Sequence, residues 1–524
     1  MKNKVKTGVL LFLIMLTLGS CNKSLTIPVK NGNTYDSYFN NDVVLNQAVI
    51  ADYAVLLHQG LWSREWYFTI DLLGYDAKPT ANMQGDLLQL AQMNFGFTQP
   101  QIDQTWASLY RIIYRANLVI DRTTAWTPGS DAEKGHQKQY LAEAKFLRAF
   151  AYFDLVNLWG RVPLHLSFKD YTNNVYPKRS DVPAVWAVIE QDLKDAEAGL
   201  PVTYAVTDLG RATSGAATAL LGKSYLYEKK WAAAQAEFKK LAQAPYSYAL
   251  VDNYTDNFSS TKQTNSEMVF QVINRPFSSA DGGNQYYVFG GQESWGGKAT
   301  NSDRAQEYGF NDWDNCYITT AAVKAFTYPN PVDGTPYVDK RAAFTFYGDA
   351  PSGGQTLYCQ ACDTIRPYPF AAKKYQFLKY EYYDLVKSYG GPASGINGQV
   401  IRYADVLLML AEANVQLGNN AAALALINRV RVRKSVNAVP YASLGTQDQA
   451  MAILMRERQL ELTGEQSRYF DLIRWGLAKQ TLNSERLVEE NTQPFQDKNL
   501  LLPIPISERS TNPNISADIK NDWN

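Results

Sequence analysis

The stretch Leu221–Pro245, LGKSYLYEKKWAAAQAEFKKLAQAP, decides the architecture. Leu221-Gly222 is followed by Tyr225, Ala234 and Phe238 at the offsets of a tetratricopeptide helix pair, and Pro245 comes next. In such a pair the large residues fill the groove between two helices, and the small ones let the backbones approach. Further along, Ala411, Gly418, Ala423, Ile427 and Val430 repeat the offsets, with Asn414 where the tyrosine belongs. Trp106–Ile120 with Tyr140–Leu158 gives a candidate third pair, and Val185–Leu200 leads into the best repeat. The competing reading is a set of unrelated helices.

Helical periodicity runs through Asp42–His58, Gln101–Thr124, Gln137–Trp159, Val182–Gly199, Arg211–Tyr227 and Trp231–Gln243. It resumes at Ile401–Leu417, Asn420–Lys434, Asp448–Leu462 and Arg468–Leu477. Between them the texture turns to Gly, Asn, Tyr and Pro, with short strand-like runs at Glu267–Ile273, Ala343–Tyr347 and Tyr375–Tyr380. The expected fold is mainly α: a tetratricopeptide-like helix-pair scaffold with a long loop-rich insertion containing short strands. One body is expected over 41–524, with the scaffold at 41–244 and 401–524 and the ligand-side insertion at 245–400.

The 524 residues carry 51 Lys+Arg and 51 Asp+Glu, and this balance lacks the basic excess of a nucleic-acid binder. A hydrophobic fraction of 46% excludes disorder, and 34 Tyr, 22 Phe and 11 Trp favour an uncharged partner with faces to stack on. Residues 1–20 read as a signal peptide: Lys2, Lys4 and Lys6 precede the apolar run Gly8–Leu18, which is too short to span a bilayer. Leu18-Gly19-Ser20-Cys21 resembles a bacterial lipobox, which makes Cys21 the lipidation site and 21–40 a lipidated tether. The alternative is an ordinary signal peptide followed by a chance cysteine. Cleavage leaves 48 basic against 51 acidic residues.

Catalytic patterns fail one by one. Nucleophile-elbow, Walker and H-E-x-x-H motifs are absent, and His58, His136 and His165 are scattered. Cys359 and Cys362 suit a local disulfide or free thiols, as Cys316 suits a thiol; no metal site or cofactor is expected. Asp312 and Asp314 offer calcium oxygens without an EF-hand pattern. Glu457, Glu461 and Glu465 stack along one helix face, interleaved with Arg456, Arg458, Arg468 and Arg474. Such interleaving lowers carboxylate pKa values, whereas a glycosidase acid needs one raised in an apolar pocket. They read, with Asp471, Glu143 and Arg148, as scaffold ion pairs, and the chain as no enzyme.

Three blocks then bear on kinship: Tyr140–Leu164 (YLAEAKFLRAFAYFDLVNLWGRVPL), Ile401–Leu417 (IRYADVLLMLAEANVQL) and Arg456–Gly476 (RERQLELTGEQSRYFDLIRWG). Leu501-Leu502-Pro503-Ile504-Pro505 and Asn512-Pro513-Asn514 follow. In this order, behind a lipobox, the chain resembles the SusD/RagB family of Bacteroidetes outer-membrane nutrient-binding lipoproteins. The resemblance implies a lipid-anchored protein on the outer-membrane surface that captures a glycan for a SusC-like TonB-dependent transporter. Peptide or other nutrient binding, or a repeat scaffold for protein partners alone, are the alternatives. Asn22-Lys23-Ser24 lacks the acidic surface-export signal of some members.

Sugar rings stack on aromatic faces while polar side chains read their hydroxyls, so loop aromatics beside Asn, Asp and Arg are the candidate ligand residues. Leu61–Asp76 carries Trp62, Trp66, Tyr67 and Tyr75 with Arg64 and Asp76. Tyr286–Tyr317 carries Tyr286, Tyr287, Trp295, Tyr308 and Trp313 among Asn284, Gln292, Asn301, Asp303, Arg304, Asn311 and Asp312. No family motif fixes single binding positions, so the resemblance points only to these regions. Trp106, Trp159, Trp186, Trp231 and Trp475 lie on helical apolar faces and read as core.

Overall fold

The helical periodicities become helices with identifiable starts. Asn41 caps α1 (Asp42–Tyr53) by accepting from Val44 N, and Ser130 and Thr213 cap α4 (Asp131–Trp159) and α6 (Ser214–Tyr227) the same way. Between them lie α2 (Glu65–Gly74), α3 (Pro100–Ala125) and α5 (Val182–Gly199), and α7 (Trp231–Lys240) follows. After the insertion come α8 (Tyr403–Gln416), α9 (Asn420–Arg431), α10 (Gln447–Leu462), α11 (Arg468–Arg474) and α12 (Ala478–Glu489). Thr446 and Gln449 form a capping box at the start of α10. The computed structural model describes residues 35–81, 83–259, 261–274, 304, 308, 315–348, 356–359, 364–367, 375–380, 395–489 and 493–518.

The stretch Leu221–Pro245 folds into the end of α6 and all of α7, which pack on each other. A Cβ on Gly222 of α6 would stand 2.7 Å from Phe238 Cε1 of α7, so only glycine admits the ring. Ala234 and Phe238 are fully buried. α3 packs on α4, α4 on α5, α5 on α6 and α6 on α7. The next contact is α7 on α8, after which α8 packs on α9 and α10. The array is therefore continuous in space although 245–400 interrupts it in sequence. Asn414, standing where the repeat has tyrosine, accepts from Gln235 Nε2 at 2.8 Å and so links α8 to α7.

The insertion is closed at its base. β2 (Met268–Val272) pairs antiparallel with β4 (Gly398–Arg402), the register shifting on either side of Ile401. β1 (Ala77–Pro79) pairs with β3 (Cys316–Ile318), and Cys316 is buried there. The described strands make two-stranded ladders only. Of the strand-like runs, 268–272 is a strand, Ala342–Thr345 is a helical turn before the strand Phe346–Tyr347, and Gln376–Phe377 pairs with that strand. Among the described residues no helix is long and apolar enough to cross a membrane.

Leu61–Asp76 departs from expectation. Its centre is not a loop: Glu65–Gly74 forms α2, and every residue of that helix is buried. A helix apolar on nearly all sides is one the core encloses, and here periodicity gives no outward face to read.

Candidate functional site

Trp62 and Trp66 face inward. Trp62 packs on Trp66 with ring centroids 6.2 Å apart, and Trp66 stacks on Phe470 of α11 at 6.1 Å. Gly398 of β4 makes room for the first indole, because a Cβ there would come within 2.5 Å of Trp62 Cε3. Tyr75 ends α2 in the left-handed region at φ 62°, is 2% exposed, and lies under the Arg486 guanidinium. Thr319 Oγ1 donates to its carbonyl at 2.8 Å.

Arg304 is equally enclosed. It pairs with Asp71 of α2 at 3.0 Å, donates to Gly464 O, and stands 3.5 Å from the centroid of the Tyr380 ring. Tyr308 donates to Asp71 Oδ2 at 2.9 Å, and Gln466 Nε2 donates to the same carboxylate. Burial raises Asp71, against the lowering effect of Arg304. Asp76 accepts from Gly464 N at 2.9 Å, and burial pushes it up to about 7. Both carboxylates are 1% exposed, so neither is presented to a bulky substrate.

The described stems of the insertion meet at this place. Asn274, Arg304, Tyr380 and Ile396 surround a void of about 10 Å³ with Trp62 and Tyr67. Asn274 N donates to Asn397 Oδ1, Asn274 Nδ2 to Ile396 O, and Gln263 Nε2 to Gly395 O. Thus Trp62, Trp66, Tyr75 and Arg304 are brought together in a buried frame beneath the insertion, and none presents an open face among the described residues. Trp295, Trp313, Tyr286, Tyr287, Asn311 and Asp312 lie outside the described residues, as do Cys21, Cys362 and Asp314.

Under the same stems sits an ion-pair network of which the sequence pattern shows only the acidic half. Glu457, Glu461 and Glu465 are structural, but their partners differ from the interleaved arginines. Arg341 pairs with Asp339, Glu457 and Glu461 at 2.8, 2.7 and 3.1 Å. Arg402 holds Glu267, Glu461 and Glu465; Arg433 holds Glu267 and Glu461; Arg431 holds Glu457; Lys379 holds Glu465 at 2.6 Å. Every one of these side chains is nearly or fully buried, and the five acids match the five bases. The surrounding cations hold Glu461, Glu465 and Asp339 below the usual carboxylate range despite burial. Arg458 serves Asp405 and Asp471 instead, Arg474 serves Glu412 and Asp471, Arg468 serves Glu485, and Arg456 lies over Tyr328. Glu143 pairs with Arg211 and Arg148 with Asp192, both within the scaffold.

Two further hollows flank the frame. One, of about 50 Å³, is walled by Trp62, Trp66 and Phe470 and bordered by Asp154 and Lys223. The other, of about 340 Å³, is an open groove between the end of α1, the 207–211 turn and the edge of β2.

Comparison with known proteins accounts for this arrangement. A profile of the SusD family matches residues 368–521, and one described as "Starch-binding associating with outer membrane" matches 32–226. SusD-like protein P25 of Formosa agariphila is 26% identical over 97% of both chains. The starch-binding protein SusD of Bacteroides thetaiotaomicron is 26% identical over 36% of this chain and 33% of its own. A crystal structure of a SusD superfamily protein from Bacteroides vulgatus superposes with a TM-score of 0.76 at 26% identity, covering 91% of this chain and 98% of that one. With both flanks of the insertion matched and the same mostly helical fold throughout, the chain belongs to the SusD family.

Proposed function

We propose that this protein is a non-catalytic glycan-binding lipoprotein of the outer-membrane surface. In this reading it captures an oligosaccharide or polysaccharide and passes it to a SusC-like TonB-dependent transporter. The observation that carries the reading is the match of 32–226 to a family described as starch-binding and associated with the outer membrane. The lipobox at Leu18–Cys21 supplies the anchor, with several acyl chains holding more firmly than one. A lone stacking site gives modest affinity, and tethering beside a transporter raises the effective concentration.

The non-catalytic reading is supported by how the carboxylates are used. Glu457, Glu461 and Glu465 are enclosed by cations, and Asp71 and Asp76 are shut inside the frame. Stacking contacts are assigned from the sequence to Trp295, Trp313, Tyr286 and Tyr287, and hydroxyl contacts to Asn311 and Asp312. Arg304, Tyr75, Trp62 and Trp66, being buried, serve the scaffold rather than contact the glycan. Trp295→Ala and Trp313→Ala are expected to lose retention in native affinity gels containing the cognate polysaccharide, with unchanged circular dichroism. Wild-type retention by both variants would remove the stacking site.

A further inference from the structure

The hollow of about 50 Å³ lies between α4, α6, β4 and the turn before α11. It collects polar groups that the fold leaves unused. Asp154 is 5% exposed, its Oδ2 has no hydrogen-bond partner, and no cation pairs with it among the described residues. The Lys223 ammonium likewise makes no ion pair there; it stands over Phe153 and Tyr227 at 5.8 and 5.9 Å. Among the described residues Trp62 Nε1 lacks an acceptor and Gln399 Oε1 lacks a donor, in side chains 5% and 3% exposed. The other charged groups on the lining are spoken for: Asp405 pairs with Arg458, and Arg402 with Glu465. Lys223, Tyr227 and Ser467 keep part of their surface in solvent, which marks the mouth.

Unused buried polar groups of this kind are costly unless something satisfies them. One spare carboxylate and one spare ammonium on a common aromatic-walled hollow complement a molecule bearing the opposite charges at its two ends. Size narrows the class: at roughly 10–15 Å³ per water-sized occupant, the space takes on the order of four such spheres. A pyranose ring is excluded, and a molecule the size of glycine is admitted.

The geometry points to a binding site for a small zwitterion, a free α-amino acid no larger than glycine or alanine. Its ammonium meets Asp154 and Gln399 Oε1, and its carboxylate meets Lys223 and the Trp62 indole N–H. This site is separate from the glycan face and does not depend on it. Burial pushes Asp154 up to about 8, with Lys223 opposing. An incoming ammonium favours the ionised carboxylate, so binding is tighter at about pH 8.5 than at about pH 6.5.

The test is calorimetric titration and thermal unfolding of the mature protein with glycine, alanine, leucine, acetate and methylammonium. Glycine and alanine are expected to bind saturably, and each half-molecule about tenfold or more weakly; leucine is expected not to bind. Asp154→Asn abolishes the glycine heat and Lys223→Met weakens it about tenfold. Should either variant fail to fold, the wild-type ranking of glycine over acetate, methylammonium and leucine still decides. No saturable glycine heat means a hollow holding only water and overturns the proposal. So does a non-saturating thermal shift shared with leucine, which is an osmolyte effect.

Discussion

Glu461 accepts from Arg341, Arg402 and Arg433 at 3.0–3.2 Å with no surface in solvent. Removing one member of a buried ion cluster leaves its partners uncompensated, which costs about 3–5 kcal/mol. Glu461→Gln is therefore expected to lower the denaturant midpoint strongly, and a change within about 0.5 kcal/mol would show that the cluster is not needed. The carboxylates also set the pH response, in two opposing senses. Glu461, Glu465, Asp339 and Asp471 are depressed, so their stabilisation is complete above the ordinary carboxylate pKa and is lost as pH falls through the folded values. Asp154 is raised, so the folded chain holds a proton that the unfolded chain releases, and stability falls as pH rises from the ordinary value of 3.8 to about 8. Asp154→Asn is expected to flatten the decline in thermal midpoint from about pH 5 to about pH 8; an unchanged slope would contradict the buried, unpaired carboxylate. The carboxylate run was legible as scaffold from its spacing. Its partners were not, because Arg341 lies 120 residues from Glu461 and Lys379 lies 86 from Glu465, and no local pattern links them.

At the scale of elements, the α6–α7 pair depends on one missing side chain. Gly222→Val drives a branched carbon into Phe238, and overpacking of this kind costs about 1–3 kcal/mol. A thermal midpoint lowered without loss of helical circular dichroism is the expected result; no change would mean that the helices have room to part. This pair was readable because its spacing is a local code. α2 was not: Trp62, Trp66 and Arg64 beside Asp76 look the same in a sequence whether a loop offers them to a ligand or a helix buries them. What separates the two cases is the set of distant residues that closes over α2, including Phe470, Gly398 and Arg304. α12 escaped notice altogether, its apolar positions being few in a polar segment.

At the scale of the molecule, the described part of the insertion is tied to the scaffold by buried charge. It supplies Asp339, Arg341 and Lys379 to a cluster whose other members belong to the insertion's base and the C-terminal helices. Joining Asn274 directly to Gly395 would take out one acid and two bases and leave buried acid unmatched. The expected outcome is a chain that does not fold cooperatively, seen as loss of a sharp calorimetric transition; a cooperative melt near that of wild type would make the insertion an independent appendage.

The contact of α7 with α8 has a kinetic side. These helices touch, yet Lys240 and Tyr403 are joined through the whole insertion. The entropy of closing a loop rises with its length, and chains rich in such remote contacts fold slowly. α1 and α3 to α7 pack on helices near them in the chain, whereas α2, stacked on α11, and α8 are completed only by contacts across the insertion. Until those contacts form, the outer face of α7 stays uncovered. A chain of this design is therefore expected to close the seam between α7 and α8 among its slower folding steps.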